Sequence, residues 1–88
     1  MTYSVVLTDT AKRALGDLPR HVQRRITRWI DLLAEDPRRP GSKQLVGHPG
    51  IRRVHASKDY VILYCIQQEQ VTVLVLRVEN RRDVYRKL

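Results

Sequence analysis

The sequence holds a single cysteine, so neither a disulfide framework nor a cysteine-based zinc cluster can organise it. It has no long apolar run. The longest, Tyr60-Val-Ile-Leu-Tyr-Cys-Ile66, is seven residues, against the roughly 20 that a membrane-spanning helix needs. The N-terminus has no basic stretch followed by an apolar core, so no secretory signal is expected. No glycine-rich phosphate loop and no Ser-His-Asp pattern occurs. His21, His48 and His55 have neither ligand-like spacing nor clustered carboxylates beside them. No metal and no other cofactor is expected, and the chain reads as a small, basic, cytoplasmic protein with no membrane segment.

What the chain does hold is positive charge. Its 88 residues, enough for one domain spanning 1–88, carry 17 Lys+Arg against 9 Asp+Glu, a formal net of +8. Residues 1–36 contribute six basic and five acidic residues, and residues 37–88 contribute eleven and four. Nearly all the excess therefore lies in the second part. A one-sided positive field attracts polyanions, of which nucleic acid is the commonest in a cell. An acidic protein partner would feel the same field.

Tyr3–Leu7 is a short strand candidate. Thr8 or Asp9 can cap a helix carrying Ala11, Leu15 and Leu18 on one stripe. Pro19 can open a second helix, since its missing N–H is not needed in a first turn. There Val22, Ile26, Trp29, Ile30 and Leu33 recur at helical spacing, with Arg20, Gln23, Arg24, Thr27, Arg28 and Asp31 on the other side. Pro37 stops it. Residues 37–50, rich in Gly, Pro and Arg, read as a loop. Three strand candidates follow, Ile51–Ala56, Tyr60–Gln67 and Gln70–Val78. The short turns between them imply antiparallel hairpins. Asn80–Leu88 is compatible with a helical turn or an extended tail. The expected fold is α+β in the order β-α-α-β-β-β. An N-terminal strand, a helical hairpin and a three-stranded antiparallel meander form one small sheet with helices on one face.

Side chains alternate along a strand. If Val54 and Ala56 face the helices, Arg53 and His55 face the open side. Arg77 ends the last strand, and Arg81, Arg82 and Arg86 follow with Tyr85 among them. Guanidinium groups pair bidentately with phosphate, and a phenol ring can stack on an unstacked base. A solvated charged face is the ordinary alternative for any one of these arginines. Cys65, Tyr60, Tyr64 and Trp29 read as packing residues, and His21 and His48 as neutral.

The chain resembles the RelE/ParE superfamily of toxins from type II toxin–antitoxin systems. The resemblance rests on Tyr3-Ser-Val-Val-Leu-Thr-Asp-Thr-Ala11 with Leu15 and Leu18-Pro19, on the amphipathic helix ending Asp36-Pro37, and on Gly41-Ser-Lys-Gln-Leu-Val-Gly47. It continues through Arg52-Arg-Val-His-Ala-Ser-Lys-Asp-Tyr60 and Val71–Val78 into Glu79-Asn-Arg-Arg-Asp-Val-Tyr-Arg86. The ending Arg81-Arg-Asp-Val-Tyr-Arg86 is the most specific piece and looks like the RelE branch.

The resemblance implies a ribosome-dependent mRNA endoribonuclease that acts in the ribosomal A site and inhibits translation. Its chemistry is metal-free attack of a ribose 2′-OH on the adjacent phosphate. It also implies a cognate antitoxin and a toxin–antitoxin hetero-oligomer. Carried over by position, the catalytic residues are Arg53, His55, Arg81 and Tyr85, with Arg52 as the fallback for Arg53 if the register differs by one. Lys43, Arg52, Lys58, Arg77, Arg82 and Arg86 form the expected RNA-binding set. Two positions depart from the family pattern. The Arg usual after Tyr60 is Val61 here, and the His that many relatives place before the basic pair is Asn80. Among the four catalytic candidates His55 is the expected proton acceptor, the alternative being that it only adds positive charge. The competing functions are a ParE-like toxin that poisons DNA gyrase and a non-catalytic binder of RNA or protein.

Overall fold

The computed structural model describes residues 2–87, and the side chains of residues 2–84. The elements run β1 Ser4–Leu7, α1 Asp9–Gly16, α2 Arg20–Glu35, β2 Lys43–Gln44, β3 Arg52–His55, β4 Tyr60–Gln67, β5 Thr72–Asn80 and α3 Arg81–Lys87. They build one five-stranded sheet of order β1-β5-β4-β3-β2. Short turns force β3, β4 and β5 into antiparallel pairs, whereas β1 meets β5 in parallel because the helical hairpin and the rest of the meander lie between them. This is the expected α+β arrangement, with α1 and α2 packed on one face.

One element goes beyond the sequence reading, and another settles a choice it left open. Within the 37–50 stretch, Lys43 and Gln44 pair with Arg53 and Arg52 as a two-residue edge strand. Two residues carry no legible alternation, and the strand exists because the edge of β3 offers it unpaired backbone groups. The C-terminal segment takes the helical option. Its Val84, fully buried, packs with Leu45, Val61 and Leu63 against the face opposite α1 and α2.

Thr8 joins the helix layer to the sheet. Its hydroxyl oxygen accepts from the Ala11 N–H at 3.1 Å, capping α1, and its hydroxyl donates to the Leu76 carbonyl at 2.7 Å. That carbonyl needs a partner because the β4–β5 register slips there: Leu63 faces Arg77, but Tyr64 faces Val75, so Leu76 is an extra residue. Thr8→Val removes the cap and leaves the bulge carbonyl unpaired, and should lower unfolding stability by about 2 kcal/mol. Thr8→Ser should retain most of it. The urea unfolding midpoint checks both.

Pro19 stands at the N-cap of α2, where its carbonyl accepts from Val22 and Gln23 at 3.0 Å each. The Gln23 side chain reaches back to the Leu15 carbonyl at 2.9 Å and so closes the end of α1. The main core joins Ala11, Ile26, Ile30 and Leu33 of the helices to Val54, Ile62, Tyr64, Val73, Val75 and Val78 of the sheet. Full burial of such aliphatic side chains stabilises by about 1.5–3 kcal/mol each. Tyr64 is completely buried, and its hydroxyl donates to the Pro37 carbonyl at 2.6 Å. Val71 closes the β4–β5 turn at φ 48°, a strained value for a β-branched residue. Its carbonyl accepts from the Ser4 N–H at 2.9 Å, so the parallel strand β1 holds it there.

Candidate active site

Val54 points into the helix-side core, so alternation along β3 sends Arg53 and His55 to the open face. The register sets their neighbours. Arg53 lies between Lys43 on β2 and Leu63 on β4, and Leu63 in turn faces Arg77 on β5. One row over, His55 faces Val61, which faces Glu79. The bulge at Leu76 is what makes these rows possible. An unbroken period of two from Val73 and Val75 would turn Arg77 and Glu79 towards the helices. The extra residue lets Val78 enter the core and leaves Arg77 and Glu79 outside.

The centre of the open face is dry. Val61 and Leu63 are nearly or fully covered by the cluster that includes Val84 of α3. Charged groups form the rim. Arg81 opens α3 and is fixed by backbone bonds: its N–H donates to the Asp59 carbonyl at 2.7 Å. The Asn80 side-chain oxygen accepts from the Arg82 N–H at 3.0 Å, satisfying a free amide of the first turn. Lys58, Asp59, Asn80, Arg81 and Arg82 line a cleft beside it.

The rim cations act on His55. Burial first, then the positive charges of Arg53 and Arg81, hold its pKa below the ordinary 6.5. Each factor disfavours the imidazolium. A ring biased towards its neutral, proton-accepting form therefore lies on the same rim as guanidinium charges able to hold a phosphate. That is the pairing a metal-free phosphoryl transfer needs.

The structure thus brings together Arg53, His55 and Arg81, with Lys58 and Arg82 in the adjoining cleft and Lys43 beside Arg53. Arg77 lies one strand further, about half exposed, its guanidinium 2.9 Å from Glu79. Arg52 is not with them. It sits on the helix-bearing face, where its guanidinium donates to the Ser42 hydroxyl at 2.8 Å. The register therefore presents Arg53 rather than Arg52 to the open face. Tyr85 and Arg86 belong to α3, and their side chains lie outside the described residues. Cys65 is partly buried, and burial pushes its thiol pKa up, away from the thiolate form that a nucleophile requires. Among the described residues, no three of His, Cys, Asp and Glu converge so as to hold a metal ion.

The family model described as ParE toxin of the type II toxin–antitoxin system parDE matches residues 5–85. Toxin RelG of Mycobacterium tuberculosis is 35% identical over 91 residues, covering 99% of this chain and 100% of that protein. The chain belongs to the RelE/ParE superfamily of type II toxins. The solved toxin–antitoxin complex RelBE2 of Mycobacterium tuberculosis matches with 31% identity and a TM-score of 0.81, over 92% of this chain and 100% of that one. The RelE–RelB complex of the archaeon Pyrococcus horikoshii matches with 26% identity and a TM-score of 0.78, over 92% and 97%.

In this RelE/ParE toxin the family's Arg after Tyr60 is Val61, and the structure shows what the change does locally. Val61 is completely buried under the α3 cluster and extends the apolar floor between His55 and Glu79. Asn80, where the resemblance places a His in many relatives, serves as the cap of α3. Sequence reasoning missed Glu79. This carboxylate lies in the His55 row with a side chain only 11% exposed, its Oε1 2.9 Å from the Arg77 guanidinium. The available signal was its spacing of two from Arg77, which puts both on one face whatever the register.

Proposed function

We propose that this toxin is a ribosome-dependent mRNA endoribonuclease. The observation that supports the reading best is His55 on the open sheet face with Arg53 on the same strand, its pKa held below the ordinary value by burial and by the charges of Arg53 and Arg81. In the proposed reaction His55 takes the proton of a ribose 2′-OH as that oxygen attacks the adjacent phosphorus. The bond from phosphorus to the 5′-oxygen breaks, leaving a 2′,3′-cyclic phosphate on one fragment. The leaving 5′-oxygen takes up a proton, and Tyr85 is the family position suited to assist there. Arg53 and Arg81 balance the extra charge on the pentacoordinate phosphate. Arg82 and Lys58 hold the flanking backbone. The ribosomal A site supplies the mRNA in a fixed, extended form.

The solved relatives RelBE2 and RelE–RelB are complexes with antitoxins. By that likeness this chain pairs with a cognate antitoxin in a hetero-oligomer. A small acidic or amphipathic partner folding onto a +8 domain fits its charge. Among the described residues no helix is long and apolar enough to cross a membrane.

Because the matching family model is the ParE one, gyrase poisoning is the second reading. Primer extension on cellular messages after brief expression separates the two. Cuts phased with codons on translated messages are the expected result. A DNA-damage response without mRNA cuts would replace this reading with the gyrase one.

A further inference from the structure

Helix α2 carries its charges in the wrong order for its own stability. Arg20, His21, Arg24, Arg25 and Arg28 occupy its first nine residues, and Asp31 and Glu35 its last five. Its first turn holds no acidic residue and its last turn no basic one. The helix macrodipole favours the reverse, anions at the start and cations at the end. Arg20 with Arg24, and Arg24 with Arg28, are also like-charge pairs four residues apart, which repel. Among the described residues none of these arginines forms an ion pair, and Asp31, one turn from Arg28, is the one carboxylate beside the row. A sequence that breaks local rules with no structural gain marks a surface kept for something else.

Arg20, Gln23, Arg24, Thr27 and Arg28, with Asp31 at one end, line a shallow groove on the outer face of α2. Each four-residue step advances about 6 Å along a helix, so the three guanidinium groups form a row of about 12 Å. The row does not stand alone. His21 and Arg25 line a second cleft with Lys58 and Asp59 of the β3–β4 turn. Lys58 and Asp59 also line the cleft that holds Arg81 and Arg82. Cationic side chains thus run from the candidate active site, round the β3–β4 turn, to the opposite layer of the molecule.

We propose that the outer face of α2 is a second RNA-docking surface that grips the phosphate backbone of folded RNA, while the open sheet face takes the strand to be cut. This rests on the ribosome-dependent reading above, in which the toxin is surrounded by ribosomal RNA. Only the sheet face is needed to hold a single nucleotide step at His55. A row of cations on the far layer fits a structured RNA wall instead. Arginine suits it, since its fork binds phosphate without reading sequence.

The test compares the full chain with Arg20→Gln/Arg24→Gln/Arg28→Gln and with the triple Lys variant. The probes are mRNA-programmed ribosomes and poly-glutamate. The Gln variant should bind ribosomes about 10-fold or more weakly, and its slope of log affinity against log salt should be shallower by about 2 to 3. Its thermal midpoint should rise, since the clash with the dipole is gone, and this excludes misfolding as the cause. The Lys variant should keep most of the binding. Unchanged ribosome affinity and salt slope in a Gln variant whose wild-type parent binds and cuts overturns this proposal alone. Ribosome affinity that is unchanged while poly-glutamate binding falls assigns the face to an acidic protein instead. A wild-type protein that neither binds nor cuts overturns both the functional reading and this one.

Discussion

Arg81→Ala should lower single-turnover cleavage on programmed ribosomes by about 100- to 1000-fold, the loss of about 2.7–4 kcal/mol that follows removal of one well-aimed donor to a developing oxyanion. The position is built for aim. The Arg81 N–H is tied to the Asp59 carbonyl, and the next amide is capped by Asn80. The start of α3 is therefore fixed against the β3–β4 turn. The guanidinium itself is exposed and forms no ion pair among the described residues, so its loss should leave the thermal midpoint unchanged. Arg81→Lys keeps the charge but loses the planar fork, and should recover only part of the rate. The variant also removes one of the charges that depress His55, so the acid side of its pH–rate profile should move up. Full growth arrest by Arg81→Ala would exclude the role.

Much of this site could be read from residues alone, and the limits were physical. Val54 and Ala56 are apolar and Arg53 and His55 are not, so the strand period of two separates the faces of β3 without coordinates. The same rule fails on β5. There the extra residue at Leu76 shifts the phase, and nothing in Val73-Leu-Val-Leu-Arg-Val78 announces it. The partner that stabilises the shift, the Thr8 hydroxyl, is 68 positions away. Arg77 belongs to the open face, and Glu79 joins it, only because of a contact that no local pattern encodes. The edge strand β2 is similarly non-local: two residues gain strand geometry from β3 and carry none of their own.

Charge was legible in amount and misleading in place. The first 36 residues total only +1 because Asp31, Glu35 and Asp36 offset the arginines of α2. In space those carboxylates lie at the far end of a 16-residue helix, about 20 Å from its start. Arg20 and Arg24 therefore lie outside the roughly 8 Å over which exposed charges act at physiological salt, and only Asp31, one turn beyond Arg28, comes within it. Summing along the chain therefore hid a cationic surface that the helix geometry restores. Folding also joins that surface to the C-terminal arginines through Lys58, a residue remote from both in sequence.

The second large effect concerns the proton acceptor. A group that removes the 2′-OH proton must be neutral and accessible near neutral pH. Arg53 and Arg81 stay charged at any working pH, and a tyrosine with a reference value near 10 is mostly protonated. His55 meets the requirement, and its surroundings improve it. Burial and the two neighbouring guanidinium charges lower its pKa from 6.5, so the neutral ring persists to a lower pH than in a free histidine. The sign follows directly: cleavage should hold to a lower pH than an ordinary histidine base would allow, and fall at more acid pH as the ring protonates. Arg53→Gln removes one of the depressing charges and should shift that acid limb upward. His55→Arg keeps positive charge on the strand but abolishes the acceptor. Single-turnover cleavage should then drop by about 100-fold or more, the usual scale for losing a general base. The acid limb assigned to His55 should vanish with it, while ribosome binding holds. Rate and profile together separate the two roles this residue can have. If His55→Arg cleaves as fast as wild type, with the acid limb still in place, the proton goes elsewhere and His55 serves only as part of the cationic rim.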